Sequence, residues 1–489
     1  MSLREFRLRD TMSGRVRPLE TVEPGHLRFY SCGPTVYSYA HIGNFRTFLA
    51  ADLVVRTAQA LGWRVSYVSN ITDVGHLTQD DVADAGGEDK MERALKSKDG
   101  SQFANIWDLS QYYADAFKED WRRMNLVEPT VRPKATQHMR EQILAVQELV
   151  EKGHAYETPT GVYFAVDSFD GYGKLSGNRD RENLQVAVRD VVQDDNKRSP
   201  ADFALWKKDD KHLMQWYSPW GWGFPGWHIE CSVMAEMYLG APLDLHAGGE
   251  DLVFPHHECE IAQSESVSDK PFANHWMHVR FLQVEGEKMS KSTGNFYTVR
   301  DLVDDQHVDP LALRLALISV PYGKPLNFTM QTLRDAERNV DRLREAYQKV
   351  ADADASPSPE MQRIYDEALD AMCDDLNTSV AIAKALEGAK RVNRGDESPE
   401  AGKWFLEKIN DLLGIVHSDY AREGDEPQQE EEPTIDGKSV GEWIEERDTA
   451  KQSRDYATAD AIRDRLNDAG IELRDGPEGT SWVRKPVGV

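Results

Sequence analysis

Cysteine is scarce in this sequence, with four residues in a chain of 489. Four cysteines in so long a chain do not make a disulfide scaffold. Cys259 and Cys373 lie in predicted helices, where cysteine behaves as a small core residue. The chain also lacks any apolar run near the roughly 18 residues that cross a bilayer, and no apolar leader precedes Arg4. We therefore expect a cytoplasmic protein.

Basic residues are in deficit: 58 Lys and Arg stand against 84 Asp and Glu, for a formal net charge of −26. The first lysine in the chain is Lys90. Acidic residues are spread along the whole sequence and also cluster at residues 424–433. High net charge keeps proteins soluble and monomeric in concentrated salt, which in turn screens the self-repulsion. We expect a salt-loving host and a monomer.

The chain begins with alternating strand and helix patterns. At 489 residues it is too long for one core and predicts about three or four domains. A strand at residues 27–31, a helix at 48–61 with a 3.6-residue apolar period and a strand at 65–68 form a βαβ unit. The sequence therefore predicts an α/β, Rossmann-like parallel sheet, which binds ligands at the carboxyl ends of its strands.

Four residues have the chemistry of metal ligands: Cys32, Cys231, His256 and Glu260. The last two are spaced i, i+4, which places them on one face of a helix. Zinc accepts Cys sulfur, His nitrogen and carboxylate oxygen. By ligand number alone, a closed structural zinc is as good an interpretation as a catalytic one, because catalytic zinc usually keeps one position open.

Two short motifs stand far apart in the chain. His41-Ile42-Gly43-Asn44 follows the first strand, and Lys288-Met289-Ser290-Lys291-Ser292 follows a late one. As an ordered pair they resemble the signatures of class I aminoacyl-tRNA synthetases. With Cys32 and the segments 226–231 and 248–258, the chain resembles the cysteinyl-tRNA synthetases from about residue 5 to its C-terminus. The resemblance implies that ATP, with Mg²⁺, activates L-cysteine to cysteinyl-adenylate, and that cysteine is then transferred to the 3′ end of tRNA(Cys).

The resemblance also implies the site residues. The catalytic and ATP-binding residues would be His41, Asn44, Lys288 and Lys291, with Gly43 approached closely by ATP. The cysteine-binding residues would be Thr72, Trp227, His246 and Asp251, and one zinc would bind Cys32, Cys231, His256 and Glu260. The family's usual histidine at the fourth position of the first motif is replaced here by Asn44, whose amide donates a hydrogen bond but carries no charge.

Zinc explains how cysteine is selected over serine, which differs from it by one atom. A pocket that relies on size alone discriminates such near-isosteres by only about 10²-fold. Zinc prefers the soft thiolate and deprotonates a coordinating thiol. The substrate sulfur would become a further ligand, with Glu260 as the weakest protein ligand. The sequence shows no separate editing domain.

The predicted division of the chain combines these patterns with the resemblance. The catalytic sheet is expected to resume at residues 227–231, 243–246 and 277–282, and helices are expected at 333–350 and near 376–386 and 404–413. The predicted segments are a catalytic domain at 1–128 and 218–300, split by a connective insertion at 129–217; a connecting segment at 301–330; a helical anticodon-binding domain at 331–422; an acidic linker at 423–435; and a small C-terminal domain at 436–489. Candidate phosphate contacts in the helical domain are Arg338, Arg342, Arg344, Lys390, Arg391 and Arg394.

Three alternatives remain at this stage. The cysteine ligase of mycothiol synthesis resembles the same catalytic half, but it lacks the helical domain, so residues 330–489 argue against it. A zinc protein without activity, which binds RNA or is purely structural, is disfavoured by the intact lysine motif. A nicotinamide dehydrogenase is disfavoured because no Gly-x-Gly-x-x-Gly motif follows Ser31.

Overall fold

The structure is a computed structural model that describes residues 4–75, 77–79, 86–178, 196–289, 294–418, 434–453, 455–476 and 479–484. The chain forms two compact units, Met1–Tyr420 and Ala421–Val489. Within the described residues, no helix is both long enough and apolar enough to cross a membrane. The finer division into seven segments stays a prediction.

The first unit is built on a parallel sheet of four strands, in the spatial order Trp276–Val279, Leu245–Gly249, His26–Ser31 and Arg64–Ser69. The helix Ile42–Ala60 connects the last two strands, as the βαβ prediction required. After the strand His26–Ser31, the chain forms the neighbouring strand Arg64–Ser69 on one side. It later forms the strand Leu245–Gly249 on the other side. The carboxyl ends of the two central strands therefore form a topological switch point, where open α/β sheets bind ligands.

Other sheets and hairpins surround this core. An antiparallel sheet, which we call the insertion sheet, has the spatial order Trp216–Ser218, Gly221–Pro225, Phe203–Lys208, Gly161–Phe164 and Ala155–Glu157, and its strand Gly221–Pro225 lies beyond the predicted insertion at 129–217. A smaller sheet has the order Glu287–Lys288, Leu282–Val284 and Leu326–Phe328. Two hairpins pair Arg7–Asp10 with Arg15–Pro18, and Leu77–Gln79 with Gly86–Asp89.

The helices of the first unit fall into a catalytic group and a C-terminal bundle. The catalytic group comprises Ile42–Ala60, Lys90–Lys96, Ile106–Arg123, Met139–Glu151, Trp227–Leu239 and Glu258–Ser268. The bundle region comprises Pro310–Ile318, Met330–Gln348, Pro359–Cys373, Thr378–Arg394 and Pro399–Leu413. Ser-Pro pairs start two bundle helices: the hydroxyls of Ser358 and Ser398 accept backbone N–H groups, and proline occupies the first turn.

Asp52 and Arg314 tie the helix Ile42–Ala60 to the bundle region. Both side chains are wholly buried and form an ion pair, and the Arg314 guanidinium also donates to the carbonyl of Leu413. Arg56 donates to the same Asp52 carboxylate at 2.9 Å. A buried charge is tolerated only when it is paired and hydrogen-bonded, so this network fixes how the helix below the switch point sits on its neighbours.

One strand prediction was wrong, and another extended past the end of its strand. The segment Trp227–Cys231 is the start of the helix Trp227–Leu239, whose first turns are buried on several faces, so its sequence shows no clear helical period. The run 277–282 is divided between the strands Trp276–Val279 and Leu282–Val284, which belong to different sheets. The chain leaves the first sheet where the Arg280 N–H donates to the carbonyl of Tyr322.

The second unit is a small α/β module. Its elements are the strands Thr434–Ile435 and Lys438–Ser439, the helices Val440–Gln452 and Tyr456–Asp468, and the hairpin of Ile471–Gly476 with Gly479–Arg484. Its core is formed by Val440, Trp443, Ile462, Leu466 and Ile471. Most of the predicted acidic linker at 423–435 lies outside the described residues.

Candidate active site

A cavity of about 400 Å³ opens at the switch point of the parallel sheet. Five of the predicted site residues line it: Cys32, His41, Asn44, Trp227 and Asp251. Cys32, His41, Asn44 and Asp251 follow core strands, where an α/β sheet exposes backbone and side chains to a ligand, and Trp227 starts the helix after the strand Gly221–Pro225 of the antiparallel sheet. The structure therefore gathers the candidate metal, nucleotide and amino-acid residues around one space.

The four predicted metal ligands lie together next to this cavity. Cys32 Sγ is 3.9 Å from Cys231 Sγ and 3.6 Å from Glu260 Oε1, and His256 Nε2 is 2.9 Å from the same carboxylate oxygen. All four are buried, and their ligand atoms lie within 4.8 Å of one another. We call Cys32, Cys231, His256 and Glu260 the ligand cluster. Sulfur, imidazole and carboxylate donors this close together fit a zinc ion.

Each ligand is positioned by a different local structure. Cys32 follows the core strand His26–Ser31, and Cys231 lies in the helix that begins at Trp227. His256 lies after a kink at the extended residue Phe254, just before the helix Glu258–Ser268 that contains Glu260. The i, i+4 spacing brings the His256 and Glu260 side chains into contact at 2.9 Å.

Mutual hydrogen bonds and charges set the ionisation of the ligand cluster. A hydrogen bond from the Cys32 thiol lowers the pKa of Cys231 to about 6, although burial opposes it. Burial raises the pKa of Cys32 well above its ordinary value, and neighbouring Cys231 adds to the effect. Burial disfavours the charged form of His256, but the Glu260 carboxylate outweighs it and raises the pKa of His256 to about 10. Without metal, the thiolate and the carboxylate thus face a protonated His256 in a buried site, and a metal ion would take the place of that proton.

A second set of donors shares two members of the cluster. Cys32 Sγ lies 3.3 Å from His257 Nε2, and His246 Nε2 lies 2.9 Å from the outer Glu260 oxygen, Oε2. Cys32, His246, His257 and Glu260 also place their ligand atoms within 4.8 Å of one another. This set contains only one sulfur, whereas the ligand cluster contains two. Since zinc favours thiolate, the ligand cluster fits a zinc ion better than this second set does.

Sequence analysis missed three histidines of this region: His228, His257 and His278. The Nδ1 atoms of His228 and His256 are 2.9 Å apart, and His257 Nδ1 is 2.8 Å from His278 Nε2. Such partners fix the orientation of metal-binding imidazoles and carboxylates. The available signal was the density of histidine between residues 228 and 278 in a chain with only 14.

The residues 41–44 form the first turn of the helix Ile42–Ala60, and we call them the signature turn. The imidazole of His41 accepts the Asn44 N–H, and the Asn44 side-chain oxygen accepts the His41 N–H, both at 3.1 Å. This reciprocal capping leaves His41 Nδ1 as an acceptor, so in the neutral ring Nε2 carries the proton. A Cβ on Gly43 would lie 2.9 Å from His41 Nδ1, so glycine permits this packing.

The chain lies close to the signature turn both before and after Lys291. Met289 Cε would lie 3.2 Å from a Cβ on Gly43. After the motif, the ring of Phe296 packs edge-on to His41 at 5.3 Å, and the carbonyl of Tyr297 accepts the Ile42 N–H. Lys291 and the side chain of Lys288 lie outside the described residues. Their predicted phosphate contacts therefore stay predictions, which the two flanking contacts support.

The predicted cysteine-binding residues occupy two kinds of position. Trp227 and Asp251 line the cavity, and the Trp227 ring lies 4.4 Å from the His256 ring. Thr72 is buried behind the turn that follows Cys32, where its N–H donates to the carbonyl of Pro34. His246 is buried behind Glu260. Direct contact of Thr72 and His246 with an amino acid stays a prediction.

Comparison with known sequences gives a consistent result. The family model described as tRNA synthetases class I (C) catalytic domain matches residues 18–338. A cysteine–tRNA ligase from Salinibacter ruber is 54% identical over 508 residues, covering 98% of this chain and 98% of that protein. A cysteine–tRNA ligase from Chlorobaculum tepidum is 41% identical and covers 96% of each chain.

Solved structures resemble the fold at low sequence identity. The methionyl-tRNA synthetase of Mycobacterium tuberculosis in complex with methionyl-adenylate superposes with a TM-score of 0.54 at 13% identity, covering 79% of this chain and 88% of that one. The LeuRS ternary complex of Agrobacterium radiobacter K84 gives a TM-score of 0.57 at 11% identity, covering 81% and 84%. Identities this low show the fold alone.

Proposed function

The chain belongs to the cysteine–tRNA ligases, within the class I tRNA synthetase family, and on that premise we propose that its ligand cluster holds the zinc ion by which cysteine is selected. As a member of this family the chain is a ligase that activates L-cysteine with ATP and transfers it to tRNA(Cys). The finer assignments below concern the metal, the individual residues and the tRNA surface.

The geometry of the ligand cluster is the observation that carries the zinc assignment. Two thiols 3.9 Å apart, an imidazole and a carboxylate converge next to the cavity, and Cys32 belongs to both the cluster and the cavity lining. When bound, zinc would supply a preference for a soft thiolate over the hydroxyl of serine. Cys32, Cys231, His256 and Glu260 would hold the ion, and His246 would orient Glu260 through its other oxygen.

The remaining cavity residues serve the two substrates. We assign His41 Nε2–H as a donor to phosphate oxygens of ATP, because its Nδ1 accepts the Asn44 N–H. Such a donor stabilises negative charge as it moves between phosphates. Asp251 would accept the α-ammonium of cysteine, and Trp227 would cover the side chain beside His256. ATP would enter with Mg²⁺, which these residues need not bind.

An exchange assay with two amino acids tests this proposal. The enzyme should catalyse ATP–pyrophosphate exchange with cysteine and should discriminate against serine by clearly more than the about 10²-fold that size selection allows. Chelation should remove the exchange activity, and zinc should restore it. Discrimination of only about 10²-fold, or activity that survives complete metal removal, would contradict selection by zinc.

Variants of Asn44 separate capping from catalysis. Asn44→Ala should destabilise the protein by about 1 kcal/mol, since the capping acceptor for the His41 N–H is lost. Asn44→Asp keeps an acceptor at that place and should keep the stability, but it loses the amide donor and adds negative charge beside ATP. We therefore expect Asn44→Asp to slow exchange by about tenfold or more. Thermal unfolding and exchange rates measure both effects; unchanged exchange in the Asp variant would limit Asn44 to capping.

The bundle region presents the candidate tRNA contacts. Arg344 pairs with Asp309 at 2.6 Å, Arg391 pairs with Glu397 at 2.8 Å, and Arg338 pairs with Asp335. Lys390 and Arg394 are exposed. The Arg338–Asp335 pair is exposed, and an exposed ion pair contributes little stability, so phosphate could replace that carboxylate at low cost. We propose that this face contacts tRNA(Cys) through phosphates.

The net charge of −26 predicts an unusual dependence of tRNA binding on salt. Long-range repulsion from the polyanion acts over about 30 Å at 0.01 M salt and about 3 Å at 1 M. We expect tRNA affinity to change less than about tenfold between 50 and 200 mM KCl, where RNA binders that contact many phosphates lose about 10³-fold or more. The thermal midpoint should rise with KCl up to 3 M. A steep loss of affinity together with a flat midpoint would contradict this expectation.

A further inference from the structure

Lys90 is the one lysine or arginine among the described residues that line the cavity. Resting on the proposed function, we propose that Lys90 is a further substrate-binding residue whose ammonium holds an oxyanion of the reacting pair, either the carboxylate of cysteine or a phosphate of ATP. Its Nζ lies 5.6 Å from the centre of the Tyr37 ring, and Tyr37 also lines the cavity. The aromatic face therefore keeps the ammonium at the cavity wall.

The backbone around Lys90 is held firmly. Asp89 and Met91 are buried on either side of it, at 5% and 0% exposure. One oxygen of Asp89 accepts the N–H groups of Met91 and Glu92, at 2.7 and 2.9 Å. The other Asp89 oxygen faces His212 Nε2 at 3.3 Å. These contacts fix the backbone position from which the Lys90 side chain reaches the cavity wall.

His212 connects this turn to the insertion sheet. Its ring stacks on Phe224 at 4.1 Å, and the Glu92 carboxylate accepts the N–H of Leu213 at 3.1 Å. Two separate contacts thus join the start of the helix Lys90–Lys96 to residues 212–213. Asp89 and His212 thus hold the backbone that carries Lys90 against the insertion.

The charge balance of the cavity gives an independent reason. Cysteine brings a carboxylate, ATP brings a triphosphate, and Asp251 places a further carboxylate in the lining. Anions are bound where fixed cations replace their hydration. Lys96, on the same helix, does not line the cavity: its side chain is 63% exposed and pairs with Glu88 and Glu92. Lys90 differs from it in pointing at the cavity.

A pair of ligands tests Lys90 and separates the two anions. L-Cysteinol has the thiol and amine of cysteine but no carboxylate. If Lys90 holds the carboxylate, Lys90→Met should weaken the binding of cysteine, measured by calorimetry, by about 10- to 100-fold and should leave that of L-cysteinol within about twofold. If it holds a phosphate, cysteine binding should stay unchanged and the KM for ATP in exchange should rise by a similar factor. Lys90→Arg should recover part of either loss.

Lys96→Met is the matched control on the same short helix, and it should change neither binding nor KM. Equal cysteine binding and an equal KM for ATP in Lys90→Met and wild type would overturn the inference. So would equal losses for cysteine and L-cysteinol, since these indicate a disturbed pocket. Failure of the proposed function looks different: wild-type enzyme would then lose no cysteine affinity on removal of its metal.

Discussion

Replacement of Cys231 by alanine removes the bound metal and with it cysteine-dependent ATP–pyrophosphate exchange. Zinc sites with four protein ligands bind with apparent free energies of about 10–16 kcal/mol, so one ligand accounts for roughly 3 kcal/mol, or about 10²-fold or more in affinity. We expect the loss of Cys231 to weaken metal binding by more than this average. It is the thiol whose pKa the Cys32 hydrogen bond lowers to about 6, and of the two thiols it therefore binds metal with less competition from protons.

Cobalt substitution allows metal binding to be measured by absorption, without an activity assay. In wild-type enzyme loaded with Co²⁺, cysteine should change the sulfur-to-metal absorption band, whereas serine should not. The Cys231→Ala protein should show neither the band nor bound cobalt after dialysis. Cys373→Ala is the matched control, because this thiol is buried at the end of the bundle helix Pro359–Cys373 and should cost about 1 kcal/mol of stability with the metal retained.

Histidine variants decide between the two donor sets that share Cys32 and Glu260. His256→Gln should lose the metal as Cys231→Ala does. His257→Gln should keep the metal with an affinity lowered by about 10- to 100-fold, the usual effect of losing a supporting partner. The reverse order would place the metal among Cys32, His246, His257 and Glu260. A band that cysteine does not change would make the site structural and end the argument for zinc-based selection.

The ligand cluster was predictable because its members carry distinctive chemistry in short motifs. Of the four cysteines, Cys32 and Cys231 are the two that were not predicted to lie in the core of a helix. His256 and Glu260 are spaced i, i+4, as on one face of a helix. The structure brings these four together, and the βαβ unit at the start of the chain was predicted as well. Local sequence patterns were enough to predict features that depend on residues close together in the sequence.

Other features depend on distant contacts, and the sequence could not show them. The segment Trp227–Cys231 was predicted to be a strand because it is apolar and short; the helix is buried on several faces, so neither period appears. The pairing of His257 with His278 joins a helical turn to a strand of the core sheet. The hydrogen bond from the His41 N–H to the Asn44 side chain is local in sequence, but it was not predicted, because both residues were interpreted as ATP contacts.

Replacement of Lys291 by alanine should slow adenylation by about 10²-fold or more, the scale of losing one positioned donor to a transition state. Lys291 lies outside the described residues, but the chain on both sides of it is fixed at the signature turn. Met289 contacts the His41 and Gly43 region before it, and Phe296 packs on the His41 ring after it. Because the described residues on both sides lie so close to His41, a lysine between them is within reach of phosphates as charge moves between them.

Lys291→Ala should slow the chemical step and should leave the binding of cysteine unchanged. Cysteine binding to the metal-loaded protein should stay within about twofold of wild type, because the ligand cluster and Trp227 lie on other elements, and kcat and kcat/KM should fall together. Lys349→Ala, a bundle lysine paired with Glu345, is the control and should leave exchange unchanged. Equal losses in cysteine affinity and in rate would instead mean that the lysine loop completes the amino-acid pocket, and Lys291 would then act on cysteine binding rather than on phosphate transfer.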